Sequence, residues 1–209
     1  MDRGKTFSAA MVRAIIAGTK TQTRRLATPA ARRIAGALGD RIYVREHWRT
    51  IAKHDGLSPN QISELYRTAV SGPAVLYMAD DARNRWFPTE QHVPAWLPGK
   101  MRQAMHMPRW ASRLTLNIQE VRVERLHDIA GKDPQHEGVE RVGGVGWRDY
   151  TGRFPHTLSA FESYVTLWDS LHDAVGTRWR DNPEVIVTTF TVEHGQIDGN
   201  DGLVLRSGA

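Results

Sequence analysis

With 209 residues, 40% hydrophobic and 24% charged, the chain has the size and composition of one well-buried globular domain. No apolar run approaches the roughly 20 residues that span a bilayer, and the absence of cysteine excludes disulfides, thiolate catalysis and sulfur-ligated zinc. A formal net charge of +5 and a pI near 9.8 favour an anionic partner, of which nucleic acid is the usual one.

The chain starts Asp2-Arg3-Gly4-Lys5 and lacks the apolar core of a secretory signal, so a cytoplasmic location is expected. Ser8 is placed to cap a helix whose apolar residues Met11, Val12, Ile15 and Ile16 share one face, and Gly18 is placed to end it in a left-handed turn. The cationic segment Lys20-Thr21-Gln22-Thr23-Arg24-Arg25 follows at once. An Arg-rich connection then leads through a turn at Gly39-Asp40 into Arg41-Ile42-Tyr43-Val44-Arg45, whose alternation and β-branched content predict a strand.

Residues 50–110 are less regular and read as an insertion within a single domain that runs to residue 194. Ser58-Pro59 starts a short helix through Leu65, and Val75 to Ala79 is a candidate strand. Trp86, Trp96 and Trp110, with Pro88, Pro94, Pro98 and Pro108, predict an ordered loop packed by aromatics. Ser112 to Gln119 alternates through Leu114, Leu116 and Ile118. Val121 and Val123 continue with the phase flipped, which predicts a bulge in one long bent strand.

Asp133-Pro134 has the form of a helix start, with Asp133 as cap and His136 and Glu137 in the first turn, and Gly138 keeps the helix short. Gly143-Gly144-Val145-Gly146 follows no strand and opens no helix, so it is a loop and not a dinucleotide fingerprint. Leu158 to Leu171 is an amphipathic helix with Phe161, Val165 and Trp168. Val185 to Val192 is a last strand, and residues 195–209 form a flexible tail. These elements give an α+β chain, and a few strands with two or three helices fit a small β-barrel flanked by helices better than a doubly wound sheet.

The segment Ile15-Ile16-Ala17-Gly18-Thr19-Lys20-Thr21-Gln22-Thr23-Arg24-Arg25 resembles the signature helix and loop of the ASCH family, within the PUA-like superfamily. Gly39-Asp40 with Ile42-Tyr43-Val44-Arg45-Glu46 resembles the family's second strand, and Asp128-Ile129 through Glu137-Gly138 its later acidic helix. The stretch His106-Met107-Pro108-Arg109-Trp110-Ala111-Ser112-Arg113 resembles ASCH proteins encoded by bacteriophages and prophages. The resemblance implies one of two activities. Small bacterial members remove the acetyl group of N(4)-acetylcytidine by amide hydrolysis, and other members bind RNA or modified nucleic acid. By position, Lys20, Thr23 and Glu137 match the catalytic Lys, Thr and Glu of the hydrolases.

An amide carbonyl is a poor electrophile, so a neutral hydroxyl that attacks it needs a base for its own proton and a donor for the leaving amine. One assignment makes Thr23 the nucleophile, Lys20 the base and Glu137 the proton donor. It needs a neutral Lys20, which burial and the charges of Arg24 and Arg25 favour, and a protonated Glu137, which the first turn of a helix opposes. The other makes Glu137 the base for a water and Lys20 the charged oxyanion partner. The plain alternatives are an ion pair tying loop to helix for Lys20 and Glu137, and a backbone-bonded strand hydroxyl for Thr23.

Arg24 and Arg25 offer forked donors for a phosphate or a base carbonyl, and Arg25 is favoured because it shares its strand face with Thr23. Tyr43, Glu46 and Trp48 follow the second strand, where an aromatic stacks on a nucleobase and a carboxylate reads its amine, although core packing is the competing role for Trp48. His106, Arg109 and Trp110 are either polynucleotide contacts or a rigid turn. The nine histidines show no His-Glu-x-x-His pattern, so neither metal nor other cofactor is expected. The leading expectation is a metal-independent hydrolase with a nucleoside substrate. A module that binds RNA or DNA is second, and a ribonuclease third.

Overall fold

A computed structural model describes residues 1–33, 35–67, 75–80 and 98–198. In chain order the elements are strand β1 (Asp2–Thr6), helix α1 (Ala9–Ile16), β2 (Gln22–Leu26), α2 (Pro29–Arg33), β3 (Arg41–Arg45), β4 (Trp48–Arg49), α3 (Pro59–Leu65) and β5 (Leu76–Tyr77). They continue with β6 (Leu114–Arg125), α4 (Asp133–His136), β7 (Arg141–Val142), β8 (Gly146–Trp147), α5 (Ala160–Leu171) and β9 (Glu184–His194). The chain is therefore α+β. Its main sheet has five strands in the order β1-β3-β6-β9-β2, and the described strands close no barrel.

The chain divides into two units. The first comprises Met1, Ala14–Arg41 and Asn117–Val192. Its core is Leu126, Ile129 and Val139 packed with Tyr164 and Trp168 of α5 and Val185 and Val187 of β9. α5 begins in a reciprocal cap: Glu162 N–H donates to Ser159 Oγ at 3.1 Å and Ser159 N–H to Glu162 Oε2 at 3.2 Å, an arrangement worth about 1 kcal/mol. Phe161 of this helix is exposed, and it meets Trp179 edge-on instead of entering the core. The glycine run is the turn of the β7–β8 hairpin, with positive φ at Gly143 (56°) and Gly144 (74°), which glycine adopts without steric cost.

The second unit comprises Asp2–Arg13, Ile42–Leu116 and the described residues from Glu193. Its core joins Trp48, Tyr77, Met107 and Ala111, with Trp110 meeting Trp48 edge-on at 5.7 Å. Ser58 caps α3 with Gln61 as its reciprocal partner, as the sequence predicts. The candidate strand at Val75–Ala79 is β5 followed by a 3-10 turn at Met78–Asp80. His106, Arg109 and Trp110 lie in two further 3-10 turns.

Two expectations need correction. β1 and α2 are additional elements, because the polar sequences Asp-Arg-Gly-Lys-Thr and Pro-Ala-Ala-Arg-Arg carry no apolar period. The chain does not fray at Gly195: Gly195 N–H donates to Arg113 O at 2.9 Å, Ile197 is 3% exposed, and Asp198 pairs with Arg109. Trp86 and Trp96 of the expected aromatic loop lie outside the described residues, as do 199–209 of the expected tail.

Candidate active site

Ser8 takes the Met11 N–H at 3.4 Å and starts α1, which buries Val12 and Ile15 and ends at Gly18 with φ +71°. The reversal there directs the N–H groups of both Thr19 and Lys20 back to Ala14 O, at 3.0 and 3.1 Å. Lys20 then pairs as a single antiparallel bridge with Glu137, and Thr21 N–H donates to His136 O at 2.9 Å. The chain enters β2 already fastened to α4.

β2 pairs antiparallel with β9, Thr23 opposite Thr188 and Arg24 opposite Val187. Phe190 N–H donates to Thr21 O and Ala27 N–H to Glu184 O, so the odd-numbered residues of β2 turn their backbone groups toward β9. The Arg24 N–H therefore points out of the sheet edge, where it donates to Glu137 Oε2 at 3.3 Å. A carboxylate thus occupies the edge that a further strand would otherwise use.

α4 is only four residues long, with Lys132 at its N-cap, Pro134 near its start and Glu137 at its C-cap. This corrects the expected placement of Glu137 in the first turn of a helix capped by Asp133, and it removes the expected pull of a helix N-terminus on the Glu137 carboxyl. Gly138 follows at φ +83°, and a Cβ there would stand 2.8 Å from Lys20 Cβ and 2.9 Å from Ala14 Cβ. Only glycine meets both demands, and the turn brings Glu137 against Lys20.

Lys20 is 2% exposed and Glu137 3%. Lys20 Nζ donates to the Glu137 backbone carbonyl at 2.7 Å and to Glu137 Oε2 at 3.3 Å. Arg24, whose side chain is fully enclosed, donates through Nη1 to Glu137 Oε1 at 2.9 Å, through Nε and Nη2 to Glu124 Oε1 at 3.0 and 2.7 Å, and through Nη2 to Asp133 Oδ2 at 2.5 Å. Burial lowers the Lys20 ammonium below its ordinary value; Glu137 opposes that shift, and Arg25 and Arg24 add to it. For Arg24, burial works downward but Glu137, Asp133 and Glu124 outweigh it, and the guanidinium is held more firmly protonated.

Thr23 is buried on the strand face opposite Arg24. Among the described residues, no hydrogen bond joins its hydroxyl to Lys20 or Glu137. Arg25 is exposed on the Thr23 face. Sequence reasoning assigned no part here to Glu124, nor to Asp133 as a partner of Arg24. One signal was available, since Asp133 and Glu137 stand four apart and share a face in one helical turn.

Tyr43, Glu46, Trp48 and Arg109 belong to the second unit. Glu46 is held by Arg113 at 2.9 and 3.1 Å, and Arg113 also binds Asp80 and lies over the Tyr77 ring at 4.0 Å. Burial raises the Glu46 carboxyl, with Arg113 opposing. Trp48 is 0% exposed, so it is a core residue with no face for a base, and this corrects its expected stacking role. Tyr43 is buried with Arg45 over its ring, and Arg109 is engaged by Asp2 and Asp198.

Among the described residues no three His, Asp or Glu side chains are grouped to hold a metal ion, and no helix is long and apolar enough to cross a membrane. No family model matches the chain, and neither does any curated protein or solved structure.

Proposed function

We propose that this chain is a metal-independent amide hydrolase that removes the acyl group from the exocyclic nitrogen of cytidine-type nucleosides, converting N(4)-acetylcytidine and water to cytidine and acetate. The observation that carries the reading is the buried contact of Lys20 Nζ with Glu137 at 3.3 Å, which unites two residues 117 positions apart that the family resemblance had paired. A neutral amine has two N–H groups and a lone pair. The two contacts to Glu137 use both N–H groups and leave the lone pair to act as base.

The Thr23 hydroxyl attacks the acyl carbon while its proton passes to Lys20 Nζ. The C–N bond then breaks, and Lys20 returns the proton to the departing amine. Water opens the resulting threonine ester, which releases acetate and restores the hydroxyl. Glu137 accepts from Lys20, from the Arg24 N–H and from Arg24 Nη1, so it holds Lys20 in place as a carboxylate and is not the proton donor. Arg25, exposed on the Thr23 face, is the proposed substrate contact.

With this reading go a PUA-like arrangement of the sheet and helices, and a cytoplasmic location. The basic charge supports a second reading, a binding module for RNA or modified DNA whose affinity falls steeply with salt. Chromatography of N(4)-acetylcytidine incubated with the purified protein separates the two. Cytidine and acetate in equal amounts support the hydrolase. Unchanged substrate, with salt-sensitive oligonucleotide binding, supports the module.

A further inference from the structure

We infer that Arg24, and not Lys20, is the standing counter-ion of Glu137, and that Arg24 is a positioning residue that leaves the Lys20 amine free to exchange its proton. The catalytic consequence rests on the reading of Lys20 as proton acceptor, but the charge arrangement can be measured without it.

Arg24 makes two contacts with the carboxylate, one to each oxygen, at 2.9 Å through Nη1 and 3.3 Å through its backbone N–H. Lys20 makes one, at 3.3 Å, and its shorter bond of 2.7 Å goes to the neutral backbone carbonyl of Glu137. A guanidinium does not release its proton in a protein, whereas a buried lysine does. The permanent charge of the site is therefore the arginine's.

The surrounding groups match that division. From α4 and β6, Asp133 and Glu124 hold the rest of the Arg24 fork, and Arg122 of β6 binds Glu124 Oε2 at 2.9 Å and approaches Asp133 at 3.7 Å. Four carboxylates, Glu120, Glu124, Asp133 and Glu137, thus share two permanent cations, Arg24 and Arg122. Arg25 of β2 acts on Lys20 as a third, and Tyr164 of α5, a buried phenol held neutral by its burial and by Glu137, adds no charge. A protonated Lys20 adds one buried positive charge to the cluster.

The test is an NMR titration of the lysine ε-carbons in the full chain, with the Lys20 signal assigned by its loss in Lys20→Met. In the wild type, Lys20 is expected to titrate below the ordinary 10.5. Arg24→Gln should raise that midpoint by about one to three pH units, because Glu137 is left to Lys20 alone. Arg24→Lys, which keeps the charge, should stay nearer the wild type. An unchanged midpoint in folded Arg24→Gln overturns the inference. If that variant does not fold, the wild type decides: a midpoint at or above 10.5 makes Glu137 the partner of Lys20 and overturns it. Turnover of N(4)-acetylcytidine is scored separately. The expected titration without turnover sinks the hydrolase alone, and turnover with an unshifted Lys20 sinks this inference alone.

Discussion

Arg24 Nη1 donates to Glu137 Oε1 at 2.9 Å, which joins an edge strand to the end of a one-turn helix 113 positions later in the chain. Both side chains are enclosed, and the same guanidinium holds Glu124 and Asp133. Removing it takes away the shortest cation contact of all three carboxylates and leaves Glu137 to Lys20 and the other two to Arg122. Arg24→Met should therefore destabilise the protein by about 3–5 kcal/mol, the range for breaking a buried ion pair by deleting one partner. Arg122→Met, at a position one-third exposed, should cost about 1 kcal/mol or less. Urea unfolding of the two variants measures the difference.

The Lys20 shift fixes a sign for pH dependence. Its folded value lies below the unfolded 10.5, so between the two the unfolded chain binds more protons and stability rises with pH. Stability from this group is fully present above 10.5 and is lost as pH falls through the folded value. Turnover should fall as pH drops through the folded value, because the base of the folded protein becomes protonated there. Chemical unfolding and turnover across pH, compared with unfolding of Lys20→Met, check this: the variant should lack the slope.

Gly138 holds the geometry from the other side of Lys20. Gly138→Ala should cost about 1–2 kcal/mol for the left-handed backbone alone, and the contact of the new methyl with Lys20 Cβ adds to that. Thermal unfolding reads the cost. Reduced turnover in a folded variant reads the displacement of Lys20.

Thr23→Ala should lower turnover by a factor of roughly 10²–10⁴ if the hydroxyl is the nucleophile, with little loss of stability, since no hydrogen bond ties it to Lys20 or Glu137 among the described residues. Thr23→Ser should restore part of the rate. Steady-state kinetics on both variants tests the assignment.

Ile197 is buried beyond the last strand, and Ile197→Ala should cost about 2–5 kcal/mol. Unfolding at the wild-type midpoint would show that residues after Gly195 carry no load.

The parts legible in the sequence were those with local chemical signals. Ser8 and Gly18 bound α1, Gly39-Asp40 turns into β3, and Ser58 caps α3. The pairing of Lys20 with Glu137 was expected only from a resemblance, since spacing alone cannot show which of many carboxylates a distant strand meets. What stayed hidden depends on tertiary contact. Asp133 has a capping residue's composition, yet its carboxylate belongs to Arg24 because the edge of β2 lies beside it. Trp48 follows the second strand, where sequence leaves both stacking and core packing open, and packing against Trp110 and Met107 shows it enclosed. β1 is a strand without an apolar alternation, formed where β3 offers it a partner.

The central claim is that the buried Lys20 beside Glu137 drives amide hydrolysis, and ultraviolet-monitored turnover of N(4)-acetylcytidine tests it most directly, with wild-type protein run beside folded Lys20→Ala. Release of cytidine by the wild type alone is the predicted result. Release by both, or by neither, would contradict it.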